Sequence, residues 1–359
     1  MEIEKIKKSL IAFGLINIDI ITEVTKEFLE NHGYDFKTNN FKERDINFIN
    51  DLEKLPNIRL APGGCLNNTL RVIKWILNMK DKSKQNYKIS IMGLIGDEEK
   101  NKIILNELDD LNINHIFEIK KNSPCSRCGV GIYNNERYLL GEDNTAASDE
   151  FMENNFYEIL NHEIVVFESF MIEQKFNMYK KISEEFNKKK STVIFALCAD
   201  FIIRKFYDKI VEIGNNSDII FSNLNEIKEF AKQKINNNNI FDENNDTNII
   251  KVLEISHKIL KERNRILITT CSNNPVLISK FDYKRNKIDF ILKSFPSKIP
   301  NNEIVDTNGA GDSFLAGFIA GYMQGKRLEE CCKMGNLASE VILKNIGCTF
   351  DKSIVIDFD

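Results

Sequence analysis

The residues with the most chemistry to offer lie in Asp306-Thr307-Asn308-Gly309-Ala310-Gly311-Asp312. Gly309 and Gly311, flanking the small Ala310, let the backbone turn tightly and come close to a ligand. Apolar residues then recur at Phe314, Leu315, Phe318, Ile319, Tyr322 and Met323, the spacing of one buried helical face. The glycines therefore stand at a helix N-terminus, where free N–H groups and the helix dipole favour an anion such as phosphate. Asp312 is unusual there, because a fixed carboxylate repels polyphosphate. A helix cap is one reading of it; a base aimed at a hydroxyl nucleophile explains the arrangement better.

Other polar residues fall where strands hand over to turns or helices. Residues 9–16 read as a buried strand, with Asn17-Ile18-Asp19 in the turn after it. Gly63-Gly64 precede a helix with apolar faces at Leu70, Val72, Ile73, Trp75, Ile76 and Leu77. Strands are expected at 87–94, 163–167, 192–197, 218–221 and 265–269, with helices between them, which is a βα alternation around a largely parallel sheet. Residues 114–141 alternate instead and carry Asn134-Asn135 as a hairpin turn. Asn223 with Glu226 reads as a capping box, as a Mg²⁺-binding oxygen pair, or as both. Phe170 and Phe201 stand at strand ends, where an aromatic side chain either fills core or stacks on a base.

The stretch Asp306–Ile319 resembles the C-terminal signature of the ribokinase family, the phosphofructokinase-B type carbohydrate and nucleoside kinases. Gly14-Leu-Ile-Asn17-Ile-Asp19, Gly63-Gly64 with Asn68, Asn223-x-x-Glu226 and Gly347-Cys-Thr-Phe350 are similar to further motifs of that family, the last to its adenosine-kinase branch. The resemblance implies an α/β ribokinase-like sandwich, with a mostly parallel sheet flanked by helices and a small β lid. It implies Asp312 as catalytic base, Gly309, Ala310 and Gly311 as the anion hole, and Arg137 as a lid arginine approaching the transferred phosphate. Asn17, Asp19, Gly63, Gly64 and Asn68 would hold ribose, whose vicinal diol suits a carboxylate acceptor, and Phe170 and Phe201 would line an adenine pocket. Asn223, Thr269, Thr307, Asn308 and Asn336 would bind nucleotide, and Glu226 would serve Mg²⁺. The activity implied is transfer of the γ-phosphoryl group of ATP to the 5′-hydroxyl of adenosine, a purine-salvage reaction. Two positions depart from the pattern. Only Ile18 separates Asn17 from Asp19, and Cys271 replaces a glycine in the Thr-x-Gly turn.

On this reading the large domain comprises 1–19, 63–113 and 142–359, and the lid 20–62 and 114–141. Residues 234–248 form an Asn-rich exposed insertion. A net charge of −4 and a pI near 5.8 give no electrostatic reason for a nucleic-acid or membrane partner. No apolar run reaches membrane-spanning length, and the first residues lack the layout of a signal peptide, so a cytosolic protein is expected, as a monomer. The eight cysteines, including the lone Cys125-x-x-Cys128, read as reduced structural thiols. No Walker sequence occurs, and only Gly14 stands where a dinucleotide fingerprint belongs. The alternatives are a kinase for ribose, another sugar or another nucleoside, and a non-catalytic nucleotide-binding relative.

Overall fold

The strands are β1 Ser9–Phe13, β2 Asn17–Glu23, β3 Tyr34–Asp35, β4 Asn40–Phe41, β5 Arg59–Gly63, β6 Lys88–Gly96, β7 Asn114–Lys120 and β8 Ser126–Tyr133. After them come β9 Glu136–Gly141, β10 Ile164–Glu168, β11 Thr192–Ala196, β12 Ile219–Asn223, β13 Arg265–Cys271, β14 Asn274–Asp282 and β15 Lys287–Ser294. This computed structural model describes residues 7–37, 40–41, 45, 47–80, 87–134, 136–142, 146–235, 246–260 and 263–358. Asn144, Thr145, Asn135 of the expected turn, and 236–245 of the Asn-rich stretch lie outside the described residues.

Among the described residues nine strands form the large sheet, in the order β15-β14-β13-β12-β11-β10-β1-β6-β7. The pairs from β7 through to β13 are parallel, while β13-β14-β15 run antiparallel. Its central strands are buried at nearly every position because both faces are covered, and most of those positions are apolar. Leu10, Ala12, Ile164, Val166, Ile194 and Ile219 join one core with the helices Cys65–Lys80, Ala310–Met323 and Leu328–Leu343. Ile11, Phe13, Val165, Phe167, Val193 and Phe195 join the other, on the side of the helix Ile172–Lys188.

A second sheet, β5-β2-β8-β9, stands apart from the first, with the short β3-β4 pair beside it. It takes in residues expected elsewhere. Asn17-Ile18-Asp19 open strand β2 instead of forming a turn, and Asn17 pairs with Gly63, so the crossing between sheets occurs at 14–16. Conversely, residues 114–120 leave the expected lid, because β7 pairs in parallel with β6 at the edge of the large sheet. The β14-β15 hairpin was not expected at all. Asp246–Asn248, placed in the insertion, begin the helix Asp246–Ile259.

The second sheet packs on a group of aromatic side chains that is continuous with the first of those cores. Phe48, fully buried, lies 5.7 Å from the Phe28 ring and 5.3 Å from that of Phe41, and a Cβ at Gly129 would come within 2.9 Å of it. Tyr34 meets Tyr138 edge-on at 4.6 Å. Phe48→Ala should cost roughly 3–5 kcal/mol, read as a lower urea midpoint. A cost below about 1 kcal/mol would mean that this group does not hold the sheet.

Candidate active site

The turn 306–309 is fixed before the helix begins. Asp306 is buried; its Oδ1 accepts from the Asn308 amide at 2.9 Å and its Oδ2 from the Gly347 amide. The same carboxylate forms an ion pair with Arg137 of β9, so it joins the second sheet to the turn. Gly309 then caps the helix Ala310–Met323 with a left-handed φ of 77°, and a Cβ there would lie 2.7 Å from Cys348 Cβ. Nothing stands within 4 Å of a Cβ built on Gly311. Packing does not demand that glycine; open space beside first-turn amides suits an incoming anion.

Asp312 sits in the first turn of this helix, half-buried. Asn68 Nδ2 donates to its Oδ2 at 3.0 Å, and the Cys65 thiol also donates to it. Burial pushes its carboxyl up to about 6, against the pull of those two donors. At neutral pH it is largely an ionised acceptor. Asp19 lies near enough to repel it. Burial first, and then Asp312, raise Asp19 to about 7, while Asn17 Nδ2, donating at 2.7 Å, and the cations Arg71 and Arg137 oppose the rise. A Cβ at Gly63 would come 2.1 Å from Asp19 Oδ1, and one at Gly64, whose φ is +100°, 2.1 Å from the Leu15 carbonyl. The two glycines therefore bring strand β5 and the helix Cys65–Lys80 against Asn17 and Asp19.

The remaining predicted residues divide. Arg137 is held by Asp306, yet its Nη1 is buried and has no hydrogen-bond partner among the described residues. Phe170 and the exposed Phe201 approach with ring centroids 6.4 Å apart at 50°, so they are neighbours without forming parallel walls. Asn336 Nδ2 donates to Ser294 Oγ at 3.0 Å and to the Phe295 carbonyl at 3.2 Å. Thr307 gives its carbonyl to the Ala310 amide at 3.4 Å. Thr269 is fully buried, its hydroxyl 3.4 Å from that of Ser222, and Cys271 is buried at the end of β13. Both side chains are enclosed by protein.

Asn223 and Glu226 form a reciprocal capping box. Asn223 Oδ1 accepts from the Glu226 amide at 2.9 Å, while Glu226 accepts from the Asn223 amide at 2.9 Å and from its Nδ2 at 2.6 Å. Burial pushes Glu226 up to about 7, and Asp200 and Asp312 add to the rise. With both carboxylate oxygens in the cap, and no group of three or more His, Cys, Asp or Glu suited to a metal among the described residues, this pair does not fit direct Mg²⁺ ligation.

Three side chains at this site escaped the sequence reading of function. Asp306 was visible only as part of a motif. Arg71 is buried on a mostly apolar stretch of helix that also holds the buried Lys74. Glu168 ends β10 fully buried, accepting from the Leu15 amide at 2.6 Å and the Leu66 amide at 3.3 Å, so it ties the crossing between sheets to the start of the Cys65–Lys80 helix. A charge inside an apolar run was the available signal for Glu168 and, shared with Lys74, for Arg71.

The fold and this arrangement define a phosphotransferase of the ribokinase-like α/β type. The chain belongs to the pfkB family of carbohydrate kinases, whose model matches residues 7–354. It is 24% identical over 351 residues to adenosine kinase 2 of Arabidopsis thaliana, covering 95% of each chain. It is likewise 24% identical over 343 residues to an adenosine kinase of Dictyostelium discoideum, covering 94% of each. Among solved structures, adenosine kinase from Schistosoma mansoni in complex with 2-fluoroadenosine superimposes with a TM-score of 0.79 at 21% identity, covering 96% of this chain and 98% of that one. No helix among the described residues is long and apolar enough to cross a membrane.

Burial raises the Glu168 carboxyl from 4.5 to about 8. A raised carboxyl contributes stability below its unfolded value and loses it as pH rises through the folded one. Glu168→Gln, which has no charge to bury, should therefore gain stability relative to wild type between about pH 5 and 8, and show no such trend below. Thermal unfolding across that range checks this, and a difference that is independent of pH would contradict it.

Proposed function

We propose that this protein transfers the γ-phosphoryl group of ATP to the 5′-hydroxyl of adenosine, giving AMP and ADP, and serves purine salvage as a cytosolic monomer. The observation that carries the reading is Asp312. It is a carboxylate in the first turn of a helix with an anion-accepting N-terminus, and Asn17, Asp19, Gly63, Gly64 and Asn68 are gathered around it. The relatives named adenosine kinase support adenosine as acceptor.

In this reading the ribose hydroxyls meet Asp19 and the Gly63-Gly64 turn. The 5′-oxygen then lies beside Asp312, in line with the γ-phosphorus. Asp312 takes the hydroxyl proton, a role typically worth ~10²–10⁴ in rate. The amides of Gly311 and Asp312 lie in the first turn, where a helix has no carbonyl to receive them, and they meet the charge on the phosphoryl oxygens. Arg137 brings a second source of positive charge from the second sheet, which acts as a lid. Positioning supplies most of the remaining acceleration. Mg²⁺ carried with the nucleotide would neutralise phosphate charge, and Glu226, whose two oxygens cap the helix Leu224–Lys232, would not ligate it directly. Phe170 and Phe201 take the adenine edge of the acceptor. Thr307, Asn308 and Asn336 lie on the nucleotide side.

The test is ADP release with Mg-ATP and adenosine, inosine, ribose or fructose 6-phosphate offered separately. Turnover with adenosine and not with the sugars is expected, and turnover with a sugar alone would overturn the acceptor. Asp312→Asn should fold, still bind nucleotide, and lose at least about 10²-fold in kcat; more than a tenth of wild-type activity would remove Asp312 as base. With Asp312 at about 6, kcat should fall on the acid side as pH drops through that value, because the protonated carboxyl no longer accepts. A flat profile from pH 5 to 8 would contradict this.

A further inference from the structure

Arg71 lies on the helix Cys65–Lys80, one turn beyond Asn68, with only 3% of its surface exposed. Its Nη1 donates to Asn68 Oδ1 at 3.2 Å and to the Pro62 carbonyl at 3.5 Å, and its Nη2 reaches Glu107 Oε1 at 3.4 Å. The guanidinium also lies 5.8 Å from the centre of the Phe350 ring, which stacks on Trp75 at 4.6 Å. The fork is thus pinned at both ends and on one face.

A guanidinium only donates. The Asn68 atom facing it must be the amide oxygen, which leaves Nδ2 to point the other way, where it meets Asp312 Oδ2 at 3.0 Å. The flipped amide would set a donor against Arg71 and an oxygen against a carboxylate, two unfavourable contacts in one buried place. We infer that Arg71 is a positioning residue for phosphoryl transfer: it orients the Asn68 amide so that Nδ2 occupies Asp312 Oδ2 and leaves Oδ1 to accept the proton of the acceptor hydroxyl. The kinetic arm of this inference rests on the reading of Asp312 as base; the orientation itself does not.

Lysine keeps the charge but lacks the planar fork, so it cannot serve Pro62, Asn68 and Glu107 together. The other ionisable groups around Asp312 stay in place in Arg71→Lys. They are the Cys65 thiol on the same helix, Asp19 from β2, Glu168 from β10, Glu226 from the helix Leu224–Lys232, and Cys348 after the last helix. The Asn68 donor holds the Asp312 carboxyl down. Losing its aim raises that carboxyl.

The experiment is a carboxyl NMR titration of the full chain labelled with ¹³C-aspartate, with Asp312 assigned by its absence in Asp312→Asn. Arg71→Lys should raise the Asp312 midpoint by about one pH unit, and should do nothing further in an Asn68→Ala background, since the effect runs through Asn68. With the acceptor that turns over, kcat should fall about tenfold and its acid limb should move to higher pH by the same interval, with KM for ATP unchanged. An unmoved midpoint, or an equal shift with and without Asn68, overturns the inference. If Arg71→Lys does not fold, hydrogen exchange of the Asn68 side-chain amide in the wild type decides. Slow exchange is expected of a group held between Arg71 and Asp312, and exchange as fast as that of an exposed asparagine overturns the inference. A shifted midpoint without turnover on any acceptor would defeat the proposed reaction and leave the orientation standing, and the reverse result would do the opposite.

Discussion

The buried pair between Arg137 and Asp306 is the constraint on which the site depends. Asp306 is almost wholly enclosed and Arg137 largely so, which makes either charge costly to leave without the other. Asp306 also takes the amides of Asn308 and Gly347, and one carboxylate thereby fixes three chain segments. These are the hairpin of the second sheet, the turn that opens the Ala310–Met323 helix, and the segment that closes against Gly309. The position of Arg137 over the site follows from this anchor. Its spare Nη1 is available because Asp306 saturates only part of the fork.

Around that anchor the site gathers more acid than base. Asp19, Glu168, Glu226 and Asp312 are all raised, in each case first by burial, to about 7, 8, 7 and 6. The spread sorts their roles. Asp312 has two side-chain donors and ionises most readily; Glu168, which has only backbone donors, keeps its proton near neutrality and acts as a strut between two loops. A pocket so arranged presents Asp312 as its most readily ionised carboxylate, with Asp19 and Glu226 only partly ionised near neutrality, so that an arriving phosphate does not face four full negative charges.

Much of the fold was legible because parallel strands buried on both faces announce themselves as short apolar runs, as in Leu10–Phe13 and Ile164–Phe167. The anion-binding turn was legible because it is local: its glycines, its helix and its aspartate lie within a few residues. What was misread depends on distant partners. Asn17–Asp19 looked like a strand-end turn because its pairing residues, Gly63 and Cys128 among them, are remote in sequence. Residues 114–120 alternate as a half-exposed hairpin would, yet they line the edge of the large sheet, where one face is only partly covered. Arg71 and Glu168 resemble surface charges until packing encloses them. The motif resemblance picked out Thr269, but its strand turns the hydroxyl inward to Ser222.

The pairing of β2 with β8 has a consequence for the order in which the protein is made. The two strands run parallel, so they cannot close as a hairpin, and the chain between them adds β5 to the second sheet and then passes through β6 and β7 of the large sheet before β8 returns. Asp306, the partner of Arg137, leaves the ribosome later still. A nascent chain can therefore lay down the early strands of the large sheet while Arg137 still has no counter-charge to bury against. The half of the site that would receive the acceptor is completed only once the half that would receive the phosphate exists, so a partly synthesised chain has no finished pocket in which to engage a substrate.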